Sequence, residues 1–211
     1  MSFYSQLEQD KWVLSIIGDK TDGYFIELGA CDGLYYSNTL YFEKKGWNGI
    51  CIEPNDLFFE KLKYNRMCHV SNDLVSSEEN KIVEFILNDA VSSINDRTIG
   101  PFTLKNDYKV VNKYTTTLEK VLDKYNAPNI IDYLSLDVEG HEYEVIKNFN
   151  FDKYIFRCIT VEHNEPHNGD ELRKKIRLLL EEKGYKFVKG NDDVHNWNHG
   201  PIDDFYVYNF K

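Results

Sequence analysis

Apolar residues recur at near-helical spacing over residues 5–17, where Leu7, Trp12, Val13, Ile16 and Ile17 precede a stop at Gly18. A short apolar strand pattern follows at 24–29, then a helical one at 37–45, with Ser37 as N-cap and Gly46 closing it. Residues 49–53 repeat the strand pattern, and Pro54-Asn55 opens a helix over Asp56–Arg66. Residues 67–70 and 73–75 read as a third strand and its end, 81–87 as extended, and 95–107 as a loop around Gly100-Pro101. The second half alternates again: helix Thr117–Tyr125, strand Ile131–Leu136, helix Glu142–Phe149, strand Ile155–Val161, and helix Leu172–Lys183 ended by Gly184. Tyr185–Val188 and Asp204–Tyr208 have no helix between them, so they pair most easily as an antiparallel hairpin. The pattern predicts one α/β domain over 1–211, with 1–20 as a helical lead-in and a doubly wound, mostly parallel sheet that ends in the hairpin.

In an open parallel sheet, ligands bind beyond the carboxyl ends of the strands. The first strand ends in Glu27, Gly29, Asp32 and Gly33, a tight turn where backbone can approach a ligand closely. The second ends in Glu53, about 20 residues on, where a carboxylate can hold a ribose diol. A nucleoside-containing ligand follows. The turn lacks G-x-G-x-x-G, because Asp32 stands where a third glycine would ease pyrophosphate approach. Its charge would repel a pyrophosphate but suits the methionine portion of S-adenosylmethionine. A nicotinamide-dependent oxidoreductase therefore stands as the alternative reading. Further strand ends supply Asp137, Glu139 and Gly140, then Glu162, His163 and Asn164. So many carboxylates in one crevice repel one another unless a cation or ligand offsets them.

Composition narrows the partners. The 211 residues carry a formal net charge of -10, which disfavours nonspecific nucleic-acid or acidic-membrane binding. The basic cluster Arg173-Lys174-Lys175 with Arg177 reads as the solvated face of a helix. Four cysteines without CxxC spacing predict buried, reduced thiols rather than zinc or disulfides. The polar N-terminus and the lack of a long apolar run predict a soluble, cytoplasmic protein without a membrane partner. The 15 Tyr and 13 Phe supply either an aromatic-rich core or sugar-stacking surfaces.

Several blocks together resemble the FkbM-type methyltransferases: Ser5-Gln6 with Gln9-Asp10, Phe25 to Gly33, Ser37-Asn38-Thr39, and Glu43 with Gly46-Trp47-Asn48-Gly49. They continue in Ile52-Glu53-Pro54-Asn55, Thr117-Leu118, Asp132 to Gly140 with Glu142, and Val161-Glu162-His163-Asn164. The resemblance covers roughly residues 5–165 and is weakest at 92–115, where acceptor choice is expected to lie. It implies a class I, Rossmann-like methyltransferase with a seven-stranded sheet, acting on a hydroxyl of a sugar or natural product. S-adenosylmethionine is the cofactor it implies. Glu27, Gly29 and Asp32 would then line the methionine end, Glu53 would hold the ribose hydroxyls, and Asn72 and Asp73 the adenine edge, with Gly33 and Asn38 also counted among the cofactor-binding residues. Asp32-Gly33 and Asp73 also read as an ordinary turn and a cap.

An alcohol has a pKa of roughly 16, so transfer needs a base or a metal at the moment of attack. His163 is the first choice of base and His141 the second, with an idle loop histidine as the alternative for His163. Asp137, Glu139 and Glu162 are hard oxygen donors suited to Mg²⁺ or Mn²⁺, though direct substrate binding or helix capping would use them too. Ser92, Ser93 and the loop 95–107 are placed over the acceptor. His195-Asn196-Trp197-Asn198-His199 is a candidate pocket wall or a plain hairpin loop.

Overall fold

The computed structural model describes residues 2–95, 108–165, 169–190 and 202–210. Along the chain run the strands β1 (Tyr24–Leu28), β2 (Asn48–Ile52), β3 (His69–Ser71), β4 (Leu74–Val75), β5 (Ile82–Leu87) and β6 (Ser93–Ile94). They are followed by β7 (Lys109–Thr116), β8 (Ile130–Leu136), β9 (Ile155–Glu162), β10 (Tyr185–Gly190) and β11 (Asp203–Tyr208). The helices are α1 (Gln9–Ile17), α2 (Leu40–Lys44), α3 (Asp56–Asn65), α4 (Leu118–Lys124), α5 (Glu142–Ile146) and α6 (Glu171–Glu182).

Seven strands form the main sheet in the order β10-β11-β9-β8-β1-β2-β3. The five from β9 to β3 are parallel, while β11 runs antiparallel to β9 and β10 antiparallel to β11. Strand alternation splits the core into two layers. Phe25, Cys51 and Tyr133 face α1, α2 and α3, packing with Trp12, Phe42 and Leu62. Ile26, Ile50 and Leu134 face α4, α5 and α6, packing with Leu122, Ile146 and Leu180. This is the doubly wound class I methyltransferase architecture, with the expected antiparallel ending.

Several local expectations shift. The first helix starts at Gln9 rather than at residue 5, because Glu8 adopts a left-handed φ of 63°. Asp10 instead accepts hydrogen bonds from the Tyr4 and Ser5 amides and the Ser5 hydroxyl, tying down the approach. The second helix is shorter than 37–45 and its N-cap is Thr39 rather than Ser37, although Ser37 Oγ accepts from the Leu40 amide at 3.1 Å. Asn55 caps α3 as its sequence suggests, accepting from the Leu57 amide. The segment taken as one third strand divides. β3 stays in the main sheet, whereas β4 pairs with β7.

The strand β7 was not anticipated, since Lys109–Thr116 lacks a period-two apolar pattern. It lies in a second sheet of order β4-β7-β5-β6, much of it solvent-facing, and solvated strands need no such pattern. The expected loop centred on Gly100-Pro101 and the segment His195–His199 lie outside the described residues. Among the described residues no helix is long and apolar enough to cross a membrane. All four cysteines are free thiols.

Candidate cofactor and acceptor cleft

A cleft of about 470 Å³ opens at the carboxyl ends of the parallel strands. Its floor steps from Asp203 at the start of β11, through Glu162, Asp137, Gly29 and Glu53, to Asp73 beyond β3. Five strand spacings of about 4.8 Å make that row about 24 Å long. The two ends differ in character. Leu74, Val75, Phe85, Val91 and Ile94 make the β3 end apolar, fit for a base. Gln6, Gln9, Asn38, Glu162, Asn164 and Asp203 make the β11 end polar.

Two residues in the middle fix where a ligand can lie. Gly29 has a φ of 78°, and a Cβ built there would sit 1.8 Å from the Asp137 carbonyl oxygen. Only glycine permits this close approach of the turn after β1 to the turn after its parallel neighbour β8. Glu53 is buried, with Oε2 accepting from the Cys31 amide at 2.9 Å and Oε1 from the Asn55 amide at 2.7 Å. Those bonds aim the carboxylate and leave each oxygen a lone pair for a ligand. Burial pushes its pKa up to about 7, against the two amide bonds that favour the charged form.

Glu27 reaches the cleft wall, but its oxygens are taken by the protein. They accept from Ser37 Oγ, the Asn38 amide, Thr39 Oγ1 and Arg66 Nη1 at 2.6–3.1 Å. Its work is to hold the loop after β1. Asn38 donates to Ser135 Oγ at 2.9 Å, while its own buried Oδ1 has no partner. Asp32, Gly33 and Asn72 are not brought to the cleft. Asp32 Oδ1 accepts from the Leu34 and Tyr35 amides, which is the ordinary-turn role. Gly33 makes room for α3, since a Cβ there would meet Leu62 and Arg66 side chains within 2.7 Å. Asn72 donates to the Glu53 carbonyl and steadies that strand end. Asp73 borders the cleft, paired with Lys124 at 3.0 Å and bonded by Ser71 Oγ.

The acidic residues divide differently from the expected triad. Asp137, Glu142 and Glu162 each place one carboxylate oxygen within 4.8 Å of the others. Glu139, with a left-handed φ of 58°, borders the cleft but is not in this group. Sequence reasoning missed Glu142, although it belongs to the quoted family block. Glu142 Oε1 accepts from the Val138 and Gly140 amides, holding the turn after β8, and its buried Oε2 has no partner. Burial pushes its pKa up to about 7. Asp137 and Glu162 are in mutual hydrogen-bonding contact; burial raises both, and their like charges raise Glu162 further. Glu162 Oε2 also lacks a partner. Two carboxyls in such contact share either a proton or a cation.

The two histidines separate. His163 is not at the cleft: its Nδ1 accepts from the Glu165 amide at 3.1 Å and its Nε2 faces Asp204 at 3.6 Å. Burial opposes the Asp204 charge, but bonds from His163, Arg173 and Arg177 hold its carboxyl well below the usual range. Arg173 and Arg177 are thus not a purely solvated face; they reach Asp204 at 2.6 and 2.8 Å. The signal was present in the strand parity. If Glu162 faces the cleft, its neighbour His163 faces away, and Asp203 and Asp204 divide in the same manner. His141 does border the cleft, with Nε2 3.0 Å from Ser76 Oγ.

The sequence profile of the methyltransferase FkbM domain matches residues 27–187. Comparison with curated protein sequences returns no match. Among solved structures, the chain is similar to the human methyltransferase 10 domain containing protein at 14% identity and a TM-score of 0.55, covering 97% of this chain and 82% of that one. It is similar to the Methanococcus jannaschii fibrillarin pre-rRNA processing protein at 14% identity and a TM-score of 0.53, covering 97% and 77%. A precorrin-6y C5,15-methyltransferase from Geobacter metallireducens gives 13% identity and a TM-score of 0.51, covering 95% and 88%. At these identities the structures speak for the fold alone. The fold and the profile match make the cofactor S-adenosylmethionine and set the nicotinamide reading aside. With the matched residues spanning most of the chain, the protein belongs to the FkbM methyltransferase domain family.

Proposed function

We propose that the protein is an S-adenosylmethionine-dependent O-methyltransferase whose acceptor is a sugar hydroxyl, assisted by a divalent cation. The observation that carries this reading is the acidic group Asp137, Glu142 and Glu162, with Glu142 Oε2 and Glu162 Oε2 buried and unpartnered. Hard oxygen donors of this kind suit Mg²⁺ or Mn²⁺ and, through it, oxygen-bearing acceptors. Asp137, Glu142 and Glu162 would hold such an ion through carboxylate oxygens that lie within 4.8 Å of one another. Such an ion would acidify and orient a bound hydroxyl.

S-adenosylmethionine supplies an electrophilic methyl group on a sulfonium, and the residues of this chain supply position. Glu53 accepts from the ribose diol, Gly29 admits the backbone approach, and the apolar β3 end takes the adenine. Asn38 Oδ1 accepts from a donor at the methionine end. The acceptor then lies on the β8–β9–β11 side. His141 is the chain's own side chain at the cleft for taking the hydroxyl proton, since His163 is turned away. Chelation followed by Mg²⁺ or Mn²⁺ add-back checks the cation. Activity on hydroxyl acceptors should vanish and return, and full activity in chelator would remove the ion from the reading.

A further inference from the structure

Two thiols meet on the face of the sheet covered by α1, α2 and α3. Cys68 Sγ donates to Cys51 Sγ at 3.6 Å, and Cys51 Sγ donates to Glu27 Oε2 at 3.5 Å. In sequence the two cysteines stand 17 residues apart with α3 between them, a spacing that matches no thiol motif. The fold closes that gap, because β2 and β3 are parallel neighbours with Cys51 in register with Val70. Cys68 stands just before β3, which begins at His69, and its amide donates to Glu43 Oε2 at 3.1 Å. It can therefore approach Cys51 without breaking a strand hydrogen bond. A disulfide holds its sulfurs about 2.0 Å apart, so the pair has about 1.5 Å left to close.

The two thiols differ in a way that sets an order of events. Cys51 is fully buried; burial and the bond from Cys68 push its thiol well up, with Arg66 opposing them. It stays protonated. Cys68 is only partly buried and follows Met67, which is 92% exposed, so a small oxidant reaches it from solvent. The buried Arg66 guanidinium interacts electrostatically with both sulfurs. A cation beside a thiol favours the thiolate, which is the form that reacts.

We propose that Cys51 and Cys68 are a modification site that a hydroperoxide oxidises to a reversible disulfide. The Cys68 thiolate attacks the peroxide: an S–O bond forms, the O–O bond breaks, and the leaving oxygen takes up the proton that Cys68 released. Cys51 then attacks the sulfenic sulfur. The S–S bond forms, the S–O bond breaks, and the hydroxyl leaves with the Cys51 proton as water. Two thiols lose two electrons in all, and the peroxide is reduced to an alcohol and water, or to water alone from H₂O₂. The link closes a loop that carries Glu53 and α3, and it removes the Cys51 donor from Glu27. The reduced thiols expected from the spacing are then one of two states of this pair. None of this depends on methyl transfer.

The test treats the reduced full chain with stoichiometric hydrogen peroxide at neutral pH, alkylates the remaining thiols in denaturant and maps them by mass spectrometry. Trypsin cuts at Lys61, Lys63 and Arg66, between the two cysteines, so only a disulfide can join their fragments. The expected product is that joined pair, lighter by two hydrogens, with Cys31 and Cys158 alkylated. Dithiothreitol should return both thiols. Cys51→Ser should accumulate the Cys68 sulfenic acid, trapped by dimedone, and Cys31→Ser should form the link to within twofold. Four alkylated thiols after oxidation overturn the proposal, as does a link that includes Cys31 or Cys158 or joins two chains. Cys68 driven to sulfinic acid while Cys51 stays reduced overturns it too, because the resolving step is then absent. If Cys51→Ser does not fold, Cys68→Ser decides at the half-buried position: a disulfide that persists there overturns the assignment.

Discussion

Arg66→Met should be the most damaging single change near the cleft that touches no ligand. The guanidinium is fully buried, donating from Nη1 to Glu27 Oε2 at 3.1 Å and Ser37 Oγ at 3.0 Å, and from Nη2 to Thr39 Oγ1 at 2.9 Å. Its Nε bonds Glu43 Oε2 at 3.1 Å. Methionine fills similar volume but leaves Glu27, whose side chain is only 5% exposed, as a buried charge without a cation. Breaking a buried pair from one side costs about 3–5 kcal/mol. For a chain of this length 1 kcal/mol moves Tm by about 2–4 °C, so a fall of about 6–20 °C is expected. Urea unfolding at constant m gives the same quantity independently. Glu27→Gln should also lower stability, with S-adenosylhomocysteine affinity within about threefold at a temperature where it stays folded. The reasoning fails if Arg66→Met costs under about 1 kcal/mol, or if Glu27→Gln abolishes cofactor binding at unchanged stability.

Glu53→Ala should weaken S-adenosylhomocysteine by about 1.5–3 kcal/mol per lost charged hydrogen bond, read by calorimetry; unchanged affinity would move the ribose elsewhere. Because burial raises Glu53 from 4.5 to about 7, the ionised acceptor forms only as pH rises through that value, so affinity should rise there and Glu53→Gln should flatten the profile. By linkage the folded apo chain binds this proton more tightly than the unfolded one. Stability from this group is therefore fully present below about 4.5 and declines as pH rises to about 7, which urea titrations at several pH values would show. Gly29→Ala should lower Tm and S-adenosylhomocysteine affinity together, since its Cβ would collide with the Asp137 carbonyl; a neutral outcome would refute the close approach. His141→Gln should lower kcat about 10²–10⁴-fold at unchanged Tm, whereas His163→Gln should lower Tm and spare kcat. The reverse pattern would restore His163 as the base.

The row of functional strand ends was legible because it depends on local order alone. Alternating strand and helix patterns place successive strands, and the residues following each strand must gather at one edge of a parallel sheet. Gly29, Glu53, Asp137 and Glu162 were found in this way, and all four border the cleft. The residues that went elsewhere failed for a different reason. Asp32 found two amides within its own turn, and His163 found Asp204 on a strand about 40 residues later. Local hydrogen bonding and side-chain parity compete with a ligand for such groups, and composition does not rank the competitors. Strand β7 escaped notice because its exposed face carries polar residues, which erases the apolar signal.

By itself the sequence determined the α/β alternation, the hairpin at its end, the acidic character of the strand termini and the family. Each follows from short-range spacing or from contiguous motifs. Only the tertiary structure decided which carboxylates stand together. Glu142 joined Asp137 and Glu162 because the turn after β8 folds back on its own amides, while Glu139 was left out by its left-handed backbone. Asp203 reached the cleft through the antiparallel sense of β11 and a bond from Gln9 at the other end of the chain. Contacts across such distances are set by packing of the whole sheet, and no local pattern encodes them.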